Sequence, residues 1–171
     1  MLKKILSHLP PDWQIPILIV IHLNESSNGV PQLLQYYTQL KVKEAEDKEL
    51  PLNGHVYIAP PGYHLVIETD KSFSLVLDEP LNFSRPSIDI CLETAVRQYR
   101  ETLLIIILSG ANSDGTEAVA YANQLGSEVW VQNPESCDFS EMTSEIINRG
   151  RFNKIYEEDE IIEQLLATGL Y

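Results

Sequence analysis

Two stretches of the chain are apolar without interruption. Ile15-Pro-Ile-Leu-Ile-Val-Ile21 and Leu103-Leu-Ile-Ile-Ile-Leu108 lack the polar alternation of a half-exposed strand, so each predicts a strand covered on both faces. Val129-Trp-Val131 is a shorter third example. Around them lie segments of helical period: an opening one carrying Leu2, Ile5 and Leu9, then Ile88 to Arg100, Thr116 to Leu125 and Met142 to Ile147. Strand, helix, strand, helix is the grammar of a parallel sheet. Gly54 to Leu77 departs from it. There Val56-Tyr-Ile58, His64-Leu-Val-Ile67 and Phe73-Ser-Leu-Val-Leu77 are divided only by Pro60-Pro61-Gly62 and Thr69-Asp70-Lys71, a spacing that predicts an antiparallel hairpin or meander attached to the main sheet. Glu157-Glu-Asp-Glu160 ahead of Ile161, Ile162, Leu165 and Leu166 predicts a last helix whose acidic first turn suits the helix dipole. With no internal repeat, low-complexity tract or linker, the expectation over residues 1–171 is one α/β domain, doubly wound, with a mostly parallel sheet and an antiparallel hairpin or meander.

Composition narrows the partners. A chain of 171 residues that is 44% hydrophobic has enough material for one real core. Its 12 Lys+Arg against 25 Asp+Glu give a formal charge of -13, and no basic patch interrupts the acidic background, so nucleic acid is not an expected partner. The apolar runs fall far short of the roughly 20 residues that a membrane-spanning helix needs, so membrane insertion is not expected either. The opening Met1-Leu-Lys-Lys-Ile-Leu-Ser-His-Leu-Pro10 lacks the apolar core and cleavage site of a secretion signal. Cys91 and Cys137, in no C-x-x-C pattern, make neither a disulfide framework nor a zinc site, which fits a reducing cytoplasm.

In open sheets of this kind, sites gather outside the carboxyl ends of the parallel strands. The first strand ends in Ile21-His22-Leu23-Asn24, which puts an imidazole at that edge. His22 suits general-base work near neutral pH; it also suits a structural bond to a loop carbonyl. The second strand ends in Ser109-Gly110-Ala111-Asn112-Ser113-Asp114-Gly115, a small-residue loop opening onto a helix, where backbone N–H groups can hold an anion or a developing oxyanion. Asp114-Gly-Thr-Glu117 also fits a capping box, in which the carboxylate serves the helix that follows it. Taken together, a carboxylate and an imidazole at neighbouring strand ends make two thirds of a hydrolytic triad. No Gly-x-Ser-x-Gly elbow supplies a nucleophile. Ser26, Ser27, Ser109 and Ser113 read as loop serines, Cys91 as a core residue of its helix, and Cys137 as a thiol without a basic neighbour. The loop also admits a phosphate-binding reading, but it lacks the Gly-Lys-Ser/Thr of a P-loop and the Gly-x-Gly-x-x-Gly of a dinucleotide fold, so that reading ranks last.

Five segments in order, Val42-Lys-Glu-Ala-Glu-Asp47, Gly54-His-Val-Tyr-Ile-Ala-Pro60, Arg85-Pro-Ser-Ile-Asp89, Leu108-Ser-Gly-Ala-Asn-Ser-Asp-Gly115 and Gln132-Asn-Pro-Glu-Ser-Cys137, resemble the catalytic domain of the chemotaxis protein-glutamate methylesterase family (CheB type). The resemblance covers about Met1 to Gly150 and leaves 151–171 as a C-terminal tail and helix. It implies hydrolysis of γ-glutamyl methyl esters on chemoreceptors by a Ser, His, Asp triad on a doubly wound α/β domain, with a methylated chemoreceptor or other signalling protein as partner and with neither metal nor organic cofactor. By resemblance, His22 is the triad histidine and Asp114 the triad aspartate, in a Gly-Met-Gly-Asn-Asp-Gly motif that here reads Gly110-Ala-Asn-Ser-Asp-Gly115. The oxyanion donor falls on the Ala111 N–H in the Gly110 loop, and His64 and Arg85 fall near the rim of the site. The family's nucleophile, the serine of a strand ending in Gly-Ala-Ser-Thr-Gly-Gly ahead of the Met1 to Leu9 helix, has no counterpart in the sequence. Two explanations compete, a start set too far downstream and a variant that has lost catalysis; the intact loop and histidine favour the first. A non-catalytic signalling or binding module derived from the same fold is the alternative reading.

Overall fold

The computed structural model describes residues 1–22, 29–81 and 83–169. Its elements run α1 (Leu2–His8), β1 (Ile17–Ile19), α2 (Val30–Gln35), β2 (Lys41–Glu44), β3 (His55–Ile58), β4 (His64–Ile67), β5 (Phe73–Val76), α3 (Ile88–Tyr99), β6 (Leu104–Ile107), α4 (Thr116–Gln124), β7 (Glu128–Gln132), α5 (Glu141–Arg149), β8 (Lys154–Tyr156) and α6 (Glu158–Ala167). Among the described residues the strands form two parallel three-stranded sheets, in the orders β1-β3-β2 and β6-β7-β8, and one antiparallel pair, β4-β5. On its described neighbours β1 pairs only with β3, and β6 only with β7.

The apolar runs are double-sided strands, and the core clusters show how. In β6, Leu104 and Ile106 pack with Ile161, Ile162 and Leu165 of α6 and Leu6 of α1, whereas Ile105 and Ile107 pack with Val96 of α3, Val119 of α4 and Ile146 of α5. In β7, Trp130 faces the first group while Val129 and Val131 face the second. The same period-two split runs along β1 and β3, where Ile17, Ile19, Val56 and Ile58 join the α1 and α6 side, and Leu18 and Tyr57 join a third cluster with the β4–β5 pair. Helices therefore cover both faces of largely parallel strands, which is the doubly wound arrangement.

One expectation needs correction. Val56-Tyr-Ile58 is not part of a meander but the centre of a parallel sheet, in register with Ile17–Ile19 on one side and with 42–44 on the other. The antiparallel element is the β4–β5 hairpin alone, pairing His64 with Val76 and Ile67 with Phe73, and it is joined to the segment after β2 by the bonds Lys48 N–H to Phe73 O and Phe73 N–H to Glu49 O, both 2.8 Å. The misleading signal was Pro60-Pro61-Gly62, which turns the chain out of the sheet instead of folding it back onto β3. Strands β2 and β8 and helix α2, three to six residues long, are too short for a period to show in the sequence. In the C-terminal helix, Ile161, Ile162 and Leu165 of α6 sit in the core, and Glu157 with Glu160 closes a reciprocal capping box at its start.

Because Ile161 is fully buried against both sheets, Ile161→Ala is expected to cost about 3 kcal/mol in a urea melt, whereas Phe83→Ser at a fully exposed position should stay within about 0.5 kcal/mol. Equal midpoints for the two variants would contradict this placement of α6.

Candidate active site

His22 lies three residues past the end of β1, and the Ser109 to Gly115 loop follows β6, so both occupy carboxyl ends of parallel strands in the two different sheets. Their side chains meet. His22 Nε2 stands 2.7 Å from Asp114 Oδ2, with the imidazole about one third exposed and the carboxylate fully covered.

Asp114 is held from every side. Oδ2 also accepts the Ile88 N–H at 2.7 Å, and Oδ1 accepts the Ser87 hydroxyl at 2.9 Å and the Asp89 N–H at 3.1 Å. Each oxygen thus takes two bonds, and three of the four donors come from the cap and first turn of α3. Burial by itself would push this carboxyl's pKa up, but the bonds from His22, the Ile88 and Asp89 amides and Ser87 outweigh it and hold it below its ordinary value. The capping-box expectation therefore fails: the N-cap of α4 is Gly115, which has no side chain to cap with, and Asp114 caps the N-terminus of α3 instead.

The favour is returned across the same junction. Asp89, in the first turn of α3, accepts the Ala118 N–H of α4 at 2.9 Å and also bonds the Gly115 backbone. Its own carboxyl is pushed up by burial, with the charge of Asp114 adding to the shift and the Ala118 and Gly115 amides opposing it. Two buried carboxylates thus serve each other's helices, and their environments drive them apart: Asp114 stays ionised beside the imidazole while Asp89 resists ionisation. The crossing is tight enough to require glycine at 115, where φ is +93° and an added Cβ would come within 2.7 Å of Ile88 Cγ2.

The loop is pinned along its length. Gly110 N–H donates to Phe139 O at 3.0 Å, Gly110 O accepts the Met142 N–H at 3.0 Å, and Ser109 exchanges bonds with the Phe139 backbone. A Cβ on Gly110 would lie 2.6 Å from Met142 Cε. Gly110 is therefore a packing residue whose amide is already committed, whereas the Ala111 N–H donates to no described acceptor.

His64 does not line a rim. It is buried at 1% exposure under the site, its Nδ1 accepting the Ser87 N–H at 3.2 Å and its Nε2 3.1 Å from Glu79 O. It supports Ser87, which in turn bonds Asp114. Arg85 is partly exposed two residues before Ser87 and donates to Asp78 O at 3.2 Å. Leu23, Asn24, Ser26 and Ser27 lie outside the described residues. Ser87 and Ser109 are engaged as described, Cys91 is a core thiol pushed up to about 12 by burial, and Cys137 is raised by burial, with its Sγ near Asn133 O and Thr143. Among the described residues no hydroxyl is bonded to His22, and no group of three or more His, Cys, Asp or Glu side chains is gathered to hold a metal.

Sequence reasoning missed Ser87, Asp89 and Asn112. The signal for the first two was the Ser-x-Asp that opens the Ile88 helix, a cap and first-turn acid that pattern reading assigns to that helix alone. Asn112 Nδ2 lies 3.2 Å from His22 Nδ1, while its Oδ1 accepts the Asp114 N–H at 3.2 Å. Nothing in the sequence points to that contact.

A doubly wound α/β domain with a histidine–aspartate pair at the carboxyl ends of its strands has the layout of a hydrolase-type domain. The family model for CheB methylesterase matches residues 1–165. A Leptospira interrogans protein named "Putative protein-glutamate methylesterase/protein-glutamine glutaminase" is 40% identical over 163 residues, covering 95% of this chain and 84% of that protein. The protein-glutamate methylesterase/protein-glutamine glutaminase of Nitrosospira multiformis is 35% identical over 150 residues, 87% of this chain but 42% of that longer protein. The crystal structure of the Thermotoga maritima CheB methylesterase catalytic domain superposes with a TM-score of 0.92 at 29% identity, over 98% of this chain and 90% of that one. The chain belongs to the CheB methylesterase family.

The depressed Asp114 value sets a pH signature. Its stabilisation is fully present above the ordinary 3.8 and is lost as pH falls through the lowered value. Asp114→Asn cannot ionise and opposes two of the donors, so it should cost about 3 kcal/mol near neutrality, roughly 6–12 °C in Tm. Thermal melts followed by circular dichroism should show that gap narrowing as pH falls through the lowered Asp114 value. A gap that stays constant from neutral to acid pH would refute the ionised, saturated state of Asp114.

Proposed function

We propose that this chain is a protein-glutamate methylesterase-type hydrolase domain, spanning 1–171, whose His22 and Asp114 serve the hydrolysis of γ-glutamyl methyl esters on a methylated chemoreceptor or related signalling protein. The observation that carries the reading is the 2.7 Å contact between His22 Nε2 and a fully covered Asp114 whose remaining lone pairs are all bonded. An ionised carboxylate only accepts, so Nε2 carries the proton and Nδ1 is left with a lone pair. Nδ1 is then the atom that takes the proton of an attacking hydroxyl and later delivers it to departing methanol, with Asp114 stabilising the imidazolium in between. The Ala111 N–H is placed to receive the carbonyl oxygen as it gains charge, a role the committed Gly110 amide cannot share. No step in this scheme calls for a metal or organic cofactor. The relatives' paired name joins the ester to the amide of the same γ-carbonyl, and one oxyanion site suits both. Two free cysteines agree with a cytoplasmic setting.

The second reading, a signalling or binding module without turnover, is favoured by one observation: the partner of His22 Nδ1 among the described residues is the Asn112 amide and not a hydroxyl. Rates without the triad serine fall by several orders of magnitude, leaving what the base and oxyanion donor achieve alone.

The deciding experiment measures methanol release from a methyl-esterified receptor peptide, and ammonia release from its glutamine counterpart, by this chain and by the same chain extended through the preceding reading frame. Release by either form is expected to fall at least about 1,000-fold in His22→Ala. Release that survives His22→Ala would remove the base from His22, and no release from either form would leave the binding module.

A further inference from the structure

Asn112 makes two bonds, and the first dictates the second. Its Oδ1 accepts the Asp114 N–H at 3.2 Å, a local turn across two residues that fixes which end of the amide faces which way. The NH2 group is thereby aimed at His22 Nδ1, 3.2 Å off. An amide NH2 only donates, so Nδ1 must accept. On its other side the ring meets the Asp114 carboxylate, which accepts the Nε2 proton. The two neighbours thus face the ring with opposite polarity: Asp114 presents an acceptor to Nε2, and the Asn112 NH2 presents a donor to Nδ1.

We propose that Asn112 is a positioning residue that holds a hydrogen-bond donor against His22 Nδ1, keeping that lone pair unprotonated and occupied until a substrate or nucleophile group displaces the amide. The role given to Nδ1 rests on the reading of His22 as the base. Productive approach to Nδ1 then exchanges one hydrogen bond for another and does not have to desolvate a bare lone pair.

The test uses the chain as it exists and does not depend on turnover. Nitrogen-15 spectra of labelled histidine report each ring nitrogen separately, and diethyl pyrocarbonate reports access to an unprotonated one. In the parent chain at neutral pH, His22 should show a protonated Nε2 and an unprotonated, hydrogen-bonded Nδ1. Asn112→Asp keeps the local turn but presents a second acceptor, so both nitrogens should be protonated and carbethoxylation of His22 should drop about tenfold. In Asn112→Gly the doubly protonated population should rise several-fold over the parent at the same pH, and the remaining neutral rings should react faster with the reagent. If Asn112→Asp does not fold, judged by its circular dichroism melt, the glycine variant and Asn112→Ala carry the test alone. A ring in the same protonation state in parent and in every folded variant overturns the proposal. That result would leave His22 as the base untouched, because His22→Ala and methanol release report on the base separately.

Discussion

The site hangs on a single saturated carboxylate. Asp114 accepts four hydrogen bonds, two on each oxygen, from two separate parts of the chain: His22 just past β1, and the consecutive Ser87, Ile88 and Asp89 at the start of α3. Hydrogen bonds to a charged group contribute about 1.5–3 kcal/mol each, and a buried carboxylate deprived of them would be strongly destabilising. That asymmetry locks the geometry. Every donor must be in place for the charge to be tolerated, and once it is tolerated the imidazole has one position in which its Nε2–H is satisfied.

The exchange of caps between α3 and α4 extends the same logic. Asp114 precedes α4 and serves α3; Asp89 lies in α3 and serves α4. Two positive helix ends brought together at a sheet edge would repel, and two carboxylates set between them neutralise the junction while linking it covalently to both helices. The repulsion between the carboxylates is relieved unequally. Asp89, with fewer donors, carries the raised pKa, and Asp114, with His22 and Ser87 added, carries the lowered one. Beneath them His64 closes a further layer, since it accepts the Ser87 N–H and holds Glu79 O, so a buried histidine that does not itself bond Asp114 still helps set where Asp114 sits.

His22 and Asp114 belong to different sheets. β1 ends one and β6 begins the other, and the strands share an apolar cluster with α1 and α6 without being paired to each other among the described residues. The hydrogen bond between the two side chains is thus also a tie between the halves of the domain, at the place where parallel α/β folds collect their chemistry. The Gly110 loop is tied down separately through Phe139 and Met142, so its amides are presented by a backbone that has little freedom to turn away.

Ile15 to Ile21 and Leu103 to Leu108 announced double-sided strands because only burial on both faces tolerates unbroken apolar runs, and the helices at 88, 116 and 142 announced themselves through their period. The position of His22 and the Gly110 loop at strand ends followed from those runs, and the motif resemblance paired His22 with Asp114 before any distance was known. Local patterns could not carry the rest. Val56-Tyr-Ile58 looked like one arm of a meander because turn residues show where a chain bends and not which strand it will join; register with β1 and β2 is decided by distant partners. Asp114 looked like the cap of its own helix because capping rules are written for neighbours in sequence, whereas its donors lie on an element 26 residues away. His64 looked like a rim residue and proved to be a buried brace, and Asn112 looked like filler in a polar loop. What the sequence determined by itself was the layering, the family and the two side chains, His22 and Asp114, that the structure brings together. Which helix the carboxylate caps, which ring nitrogen faces outward and what stands against it were decided only by the tertiary structure, because hydrogen bonds between groups far apart in the chain leave no periodicity to read.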